Sequence, residues 1–298
     1  ERLQRISDAI ALKKPDRVPV FLSLGLFPAR YAGITYEKAF NDQESWLAAN
    51  EKTIEDYRPD LYFQPGAAVI TGAAVHEKLQ NRLLRLPGRE LPPDVSFQFV
   101  EGEYMTADEY DHFLDDPSDY AVRVYTPRIF GALEGLALLP PLKSMVLGYV
   151  GATAVGLLTL PPLAEAMQAL AEAAAESMRW TAGYMEFEAR MNGKGFPAFS
   201  TAITLAPFDV ISDMMRGMRG AMLDMYRCPE KLIAAQEKLL PLLVEAAVTQ
   251  ARMSGNPRVF IPMHRGADGF MSLEQFDRFY WPGFRGVEIG RASCRERV

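Results

Sequence analysis

This chain of 298 residues contains little cysteine and histidine and no long uninterrupted apolar run. Its two cysteines, Cys228 and Cys294, form no CxxC pair, which excludes a disulfide framework and is typical of a reducing compartment. The most apolar stretch, residues 133–162, is interrupted by prolines and Lys143, so we expect no membrane partner. At a net charge of −6 the chain lacks the clustered Lys and Arg of a nucleic-acid surface. With no apolar leader visible, the sequence predicts a cytoplasmic protein.

Nucleotide-binding loops are also missing, because neither GxGxxG nor GxxxxGK[ST] occurs. The sequence instead alternates helical segments with short apolar segments flanked by Gly or Pro, which predict buried strands. The predicted strands are residues 17–22, 60–64, 196–203 and 259–263, and the predicted long helices are residues 163–191 and 229–253. This alternation is typical of α/β proteins, and at this length it favours a (β/α)8 TIM barrel.

The predicted barrel is incomplete at the C-terminus. The sequence shows five or six strands, whereas closure needs eight, so we expect the rest beyond Val287. Residues 288–298 read like the in-frame translation of a common sequencing-adapter oligonucleotide appended to a truncated gene. We therefore predict a single partial barrel domain at residues 1–287 and a non-native tail at residues 288–298.

Three groups of residues form motifs. Residues 8–10 and 15–20 read Asp-Ala-Ile and Pro-Asp-Arg-Val-Pro-Val, and residues 224–231 read Asp-Met-Tyr-Arg-Cys-Pro-Glu-Lys. Residues 268–276 place Ser-Leu before Glu-Gln-Phe, and Tyr-Trp-Pro follows at residues 280–282. Together these resemble the uroporphyrinogen decarboxylase superfamily, which includes the cobamide-dependent methyltransferases. The resemblance implies a TIM barrel of that type and an enzyme of tetrapyrrole or corrinoid metabolism.

Two departures bear on the reaction. The decarboxylases follow their first strand with an Arg-Gln-Ala-Gly-Arg loop that holds the substrate carboxylates, whereas residues 23–30 here keep one arginine, Arg30. They end their second strand with Phe-Ser-Asp, whereas residues 63–66 read Phe-Gln-Pro-Gly. Because the chain lacks the two-arginine loop and the aspartate of the decarboxylases, the sequence favours a corrinoid-dependent methyltransferase-like protein. Two alternatives stay open: a uroporphyrinogen decarboxylase of porphyrin biosynthesis, and a non-catalytic corrinoid- or porphyrin-binding barrel.

The resemblance also implies cofactors and partners. The methyltransferase relatives use a corrinoid, and a zinc ion held by a His-x-Cys and a later Cys. No histidine or cysteine here has zinc-site spacing, so we predict no metal ligand in this chain and expect corrinoid and Zn only with residues beyond Val287. The implied partners are a small tetrapyrrole or methyl-donor substrate, a corrinoid protein and a second copy forming a homodimer.

The candidate site follows the last predicted strand, because barrel active sites gather at the carboxyl ends of strands. There we predict His264 and Asp268 as catalytic residues and Arg265 as a ligand for a substrate carboxylate, the alternative being a loop that only makes hydrogen bonds. Asp209 and Asp213, four residues apart, suit either acid–base chemistry or helix capping, and capping is favoured.

Earlier in the chain we predict three substrate-binding residues. Arg30 is the candidate for binding an anion. Tyr62 and Gln64 alternate with apolar residues on the second strand, so they would face into the barrel, although core packing is favoured for them. Arg17, by contrast, is expected to be a structural ion-pair partner.

Overall fold

A computed structural model describes residues 1–200, 202–267 and 269–293, with side chains through residue 288. The described residues fall into two compact units. The first comprises Glu1–Phe99 and Gln168–Ser200, and the second comprises the described parts of Val100–Met167 and Thr201–Val298. Most of these residues are helical. In this part of the chain, no single helix combines the length and apolar character needed to cross a membrane.

The elements are numbered in chain order over the described residues. The helices are α1 Arg2–Ile10, α2 Phe27–Tyr31, α3 Tyr36–Asn41, α4 Gln43–Tyr57, α5 Ala73–Leu79, α6 Tyr110–Asp115, α7 Pro117–Tyr120, α8 Thr126–Ile129, α9 Gly148–Leu157, α10 Pro161–Gly193, α11 Pro207–Val210, α12 Gly217–Arg227, α13 Pro229–Ser254, α14 Leu273–Gln275 and α15 Trp281–Ser293. The strands are β1 Phe21–Leu22, β2 Leu61–Tyr62, β3 Leu84–Arg85, β4 Gln98–Phe99, β5 Ala202–Ile203 and β6 Val259–Phe260. Three helical turns widen to π-helix, at Ala121–Tyr125, Ile211–Met215 and Phe276–Tyr280.

Local sequence signals set several helix boundaries as predicted. The Thr35 hydroxyl accepts the Lys38 N–H and so caps α3. At the start of α4, Asp42 accepts the N–H of Ser45. Helix α13 begins at Pro229 and ends before Gly255, whose φ of 67° lies in the left-handed region that favours glycine. Both predicted long helices are therefore confirmed.

In the first unit, β1 and β2 pair in parallel, and Tyr62 also bridges in parallel to Ala198. Behind them, Trp46, Phe187 and other apolar side chains of α4 and α10 form the core. The opening motif is held by the buried carboxylate of Asp60, which accepts hydrogen bonds from Arg5 at 2.5 Å and Arg17 at 2.7 Å. Arg17 is thus the structural ion-pair partner that the sequence predicts.

The second unit contains the parallel pair β5 and β6, with α11 to α13 between them along the chain. Its core packs aromatic and methionine side chains around α12 and α13. A buried ion pair lies at the edge of this core, where Arg216 Nε is 2.6 Å from Asp224 Oδ2. Tyr110 donates its hydroxyl hydrogen to the same carboxylate at 2.9 Å. These contacts compensate the buried charges of Arg216 and Asp224, which would otherwise strongly destabilise the fold.

The predicted TIM barrel is only partly supported. Both parallel pairs are joined through helices, as in α/β proteins. However, β1 to β6 form three two-stranded sheets, β3 and β4 pair antiparallel, and the described residues show no closed barrel. Each strand of the parallel pairs is two residues long, whereas the sequence predicted strands of five to eight residues. Pro19, Pro65 and Pro262 flank them and lack the N–H that would extend the ladder.

Candidate functional site

The candidate site surrounds the loop after β6 in the second unit. Asp209 of α11 is fully buried beneath this loop. Its Oδ2 accepts hydrogen bonds from the His264 backbone N–H at 3.1 Å and the Tyr280 hydroxyl at 2.7 Å, and its Oδ1 accepts one from the Arg265 N–H at 2.9 Å. A carboxylate with three donors fixes the loop backbone, so the side chains of His264 and Arg265 start from a defined position.

Asp213 joins those two side chains. It lies on the π-helical turn Ile211–Met215, a geometry that occurs often at functional sites. Its Oδ2 is 2.6 Å from His264 Nδ1, and its Oδ1 is 2.9 Å from Arg265 Nη2. The carboxylate is mostly buried, with 12% of the side chain exposed. One acidic residue thus orients both the imidazole and the guanidinium.

The imidazole of His264 is open to solvent, since 49% of its side chain is exposed. Because Asp213 accepts at Nδ1, the neutral ring carries its proton on Nδ1 and leaves Nε2 as an acceptor. In the described part of the chain, Nε2 has no polar partner. This arrangement is that of a general base oriented by a carboxylate.

Asp213 contacts only one nitrogen, Nη2, of the Arg265 guanidinium. The guanidinium lies over the ring of Phe270, 5.2 Å from the centroid, and its Nη1 is 3.6 Å from the Met218 sulfur. Its Nε is buried and has no hydrogen-bond partner among the described residues. The side chain is 17% exposed. Since a thioether is a weak acceptor, Nη1 keeps most of its capacity to donate a hydrogen bond.

Burial sets the protonation behaviour beneath the loop. It raises the pKa of Asp209, and the hydrogen bonds from Tyr280 and the two backbone N–H groups oppose that rise. Burial also raises the pKa of Tyr280, and the hydrogen bond to Asp209 adds to it. Tyr280 therefore stays a protonated donor over the physiological range.

The structure brings the predicted pair His264 and Arg265 together with residues that the sequence did not assign to them. Neither Asp209 nor Asp213 is the N-cap residue of α11, which is Ala206, but Asp209 lies in the first turn of that helix, where a carboxylate complements the helix dipole. Both carboxylates also contact the loop after β6. Tyr280 begins the Tyr-Trp-Pro motif, and no local signal in the sequence links it to Asp209. The predicted catalytic residue Asp268 lies outside the described residues.

The other predicted ligands, Arg30, Tyr62 and Gln64, belong to the first unit. Arg30 is exposed and lines a cleft of about 450 Å³ with Tyr36, Phe97 and neighbouring residues, and its guanidinium has no polar partner among the described residues. Tyr62 is buried edge-on against Phe187 at 6.2 Å, so it packs in the core rather than into an open site. Burial raises its pKa. Gln64 is partly buried, and its Oε1 has no partner in the described part.

The residues present do not fit zinc. Within the described residues, no three His, Cys, Asp or Glu side chains lie close enough together to hold a metal ion. His264 is followed by Arg265 and Gly266 rather than by x-Cys, and both nearby carboxylates are engaged by protein donors. The cleft lined by Arg216 and Arg219 has a volume of about 460 Å³, which is small for a whole corrinoid.

Comparisons of the chain with protein-family models, with curated proteins and with solved structures give no match. The superfamily resemblance therefore stays a prediction from the sequence motifs. The structure adds a group of five residues connected by hydrogen bonds and an ion pair, which we call the loop site: Asp209, Asp213, His264, Arg265 and Tyr280.

Proposed function

We propose that this chain is part of a uroporphyrinogen decarboxylase-like enzyme of tetrapyrrole or corrinoid metabolism, built on a (β/α)8 barrel, and that the loop site performs proton transfer. The observation that supports this proposal is the 2.6 Å contact between His264 Nδ1 and Asp213, with the imidazole half exposed. Asp213 engages Nδ1, and Nε2 has no polar partner in the described part of the chain, so it can exchange a proton with a ligand.

In this proposal, His264 Nε2 accepts a proton from the bound substrate, and Asp213 stabilises the imidazolium that forms. Arg265 holds a substrate carboxylate beside the imidazole. Asp209 and Tyr280 keep the loop backbone in place and do not contact the substrate.

Within the superfamily, methyl transfer is preferred over decarboxylation, because residues 23–30 keep only Arg30 and the second strand ends at Gln64 without an acidic residue. In such an enzyme a corrinoid and a zinc ion would supply the methyl-transfer chemistry, the zinc held by ligands other than the described residues, and a corrinoid protein would be the partner. Decarboxylation and corrinoid binding without catalysis are the competing outcomes.

A ligand-binding experiment separates these outcomes. Uroporphyrin and hydroxocobalamin are titrated in parallel, and quenching of tryptophan fluorescence gives the dissociation constants. For a carboxylate-bearing ligand, Arg265→Met should weaken binding by about 10- to 100-fold, because a hydrogen bond to a charged group contributes roughly 1.5–3 kcal/mol. Arg252→Met, at an exposed arginine of α13, is the matched control. Equal affinity for Arg265→Met and the control would refute the carboxylate role.

Turnover then tests the imidazole. Loss of CO2 from uroporphyrinogen and methyl transfer from methylcobalamin to a thiol are measured for the unmodified chain, for His264→Gln and for His76→Gln as the control. We expect His264→Gln to retain ligand affinity and to lose about 10²- to 10⁴-fold in rate. Binding without turnover in every protein would favour the non-catalytic barrel, and CO2 release would favour the decarboxylase.

A further inference from the structure

The second unit contains a cleft of about 460 Å³ that is lined from residues 101–107 and 216–227. No residue of the loop site lines it, so a ligand bound there would be additional to the substrate that we propose for the loop site. The volume suits a small molecule. The charges in the lining indicate which class of small molecule matches the cleft.

Helix α12 contributes two arginines that have no protein partner. Arg219, Leu223 and Arg227 follow one another at intervals of four residues, so they form one stripe of the lining. Both arginines are exposed, and neither guanidinium has a hydrogen bond or an ion pair among the described residues. Their planar sets of N–H donors are available to a ligand, and a carboxylate matches this geometry.

The segment 101–107 contributes two carboxylates to the same lining. Glu101 Oε1 accepts the Met218 N–H at 2.6 Å, and Glu103 Oε1 contacts Arg216. In the described part of the chain, the second oxygen of each carboxylate has no partner. The Glu103 side chain is 55% exposed. These two oxygens can therefore accept hydrogen bonds from a positively charged ligand group.

This segment is fixed against the start of α12. The Met105 N–H donates to the Met215 carbonyl at 2.8 Å, and the buried Arg216 donates to the Met105 carbonyl. Gly217 has a φ of 68°, and a Cβ atom there would lie 3.1 Å from the Gly102 carbonyl oxygen. Glycine thus permits the close approach of the two backbones. Because the lining is already held in place, a ligand would lose little free energy to ordering it.

The charges of the lining are of both signs and are only partly paired. Arg216 and Asp224 compensate each other beneath the cleft, which leaves the two arginines of α12 and the two glutamates. Among the described residues, neither of these arginines forms an ion pair with either glutamate. A dianion such as phosphate would lie near the glutamates and be repelled by them, and a simple cation would be repelled by the arginines. A ligand with one charge of each sign matches the whole lining.

We propose that this cleft binds a small zwitterion, a molecule that carries both an ammonium and a carboxylate group. Arg219 and Arg227 donate hydrogen bonds to its carboxylate. Glu101 and Glu103 accept hydrogen bonds from its ammonium. Leu223, which lies between the two arginines on α12, contacts the carbon atoms that join the two charged groups.

The experiment titrates the full chain by isothermal titration calorimetry with zwitterions of increasing charge separation. These probes are glycine, β-alanine, 4-aminobutyrate and 6-aminohexanoate. Butyrate, butylamine and inorganic phosphate are the probes that carry charge of one sign only. We expect at least one zwitterion to bind about 10-fold more tightly than each of these, because a probe of one sign lacks one set of charged hydrogen bonds.

Two variants test the two ends of the ligand separately. Arg227→Gln removes a donor to the carboxylate, and Glu101→Gln removes a charge beside the ammonium while keeping an oxygen for the Met218 N–H. Each should weaken binding of the preferred zwitterion by about 10-fold or more. Arg252→Gln, at an exposed arginine of α13, is the matched control and should bind like the unmodified chain. Circular dichroism confirms that each variant is folded.

Three results would overturn the proposal. Butyrate or phosphate that binds as tightly as every zwitterion would identify a site for simple anions. Zwitterion binding that is unchanged in both Arg227→Gln and Glu101→Gln would place the ligand elsewhere on the chain. If none of the probes binds, the charges of the cleft are solvated surface groups.

Discussion

Replacing Tyr280 with Phe tests whether Asp209 is the anchor of the loop site. The substitution removes one hydroxyl, which donates to Asp209 at 2.7 Å, and retains the ring contact with Phe276 at 5.3 Å between centroids. Tyr280 is fully buried, so no water replaces the donor without rearrangement. Since Asp209 keeps its two backbone donors, we expect a loss of about 2 kcal/mol in the free energy of unfolding near neutral pH.

The pH dependence of that loss follows from the raised pKa of Asp209. In the folded chain burial disfavours the ionised carboxyl, so protonation of Asp209 adds stability as the pH falls below its folded pKa. Without the hydroxyl the pKa rises further, because a bond that favours the charged form is gone. The variant should therefore lose most stability near pH 7 and least near about pH 4.

Urea unfolding followed by circular dichroism at both pH values measures this loss. Tyr57→Phe, at a tyrosine that is 51% exposed in the first unit, should change stability by no more than about 0.5 kcal/mol. A loss below about 0.5 kcal/mol in Tyr280→Phe would refute the anchoring role. If the loss in stability instead grows as the pH falls, the Tyr280 hydroxyl does not stabilise the ionised form of Asp209 more than the protonated form.

Three further substitutions probe other parts of the chain. Asp224→Asn deprives the buried Arg216 of its carboxylate and should lower the free energy of unfolding by about 3 kcal/mol, whereas a change below about 1 kcal/mol in urea unfolding would contradict the network. Glu109→Gln should cost about 1 kcal/mol at neutral pH, because Arg128 lowers the pKa of this carboxyl from 4.5 to about 2. That contribution is lost as the pH falls through this window, so an acid titration of Glu109→Gln should be flatter than that of the unmodified chain. Gly72→Ala should destabilise the chain by about 1–3 kcal/mol in thermal unfolding, because the added Cβ would lie 2.4 Å from the indole of a buried tryptophan.

Local signals in the sequence predicted much of the helical structure. The Thr35 cap, the Asp42 cap and the Pro229 start each depend on neighbours within a few residues, so they could be read without the fold. The strands were predicted too long, since apolar composition does not show where a ladder finds a partner. His264 and Arg265 were predicted from their position after a strand, and the structure adds the carboxylates that orient them.

The rest of the loop site could not be predicted, because its contacts join distant residues. Asp209 and Arg265 are 56 positions apart, and Asp209 and Tyr280 are 71 positions apart. A pair of aspartates four apart next to a helix start has the same local pattern as a capping pair. The widened turn at Ile211–Met215, which carries Asp213, has no signature in composition or spacing.

The discontinuous chain path of the first unit has a consequence for its synthesis. The helix that closes this unit lies in Gln168–Ser200, where the Trp180 carbonyl accepts from Gln43 at 2.6 Å and Lys194 contacts Glu51 at 2.5 Å. Residues 1–99 leave the ribosome well before these partners exist, by an interval on the order of several seconds at ordinary elongation rates. During that interval the core around Trp46 lacks the apolar side chains of residues 180–198, so chaperone binding to nascent chains should peak before residue 200 is made.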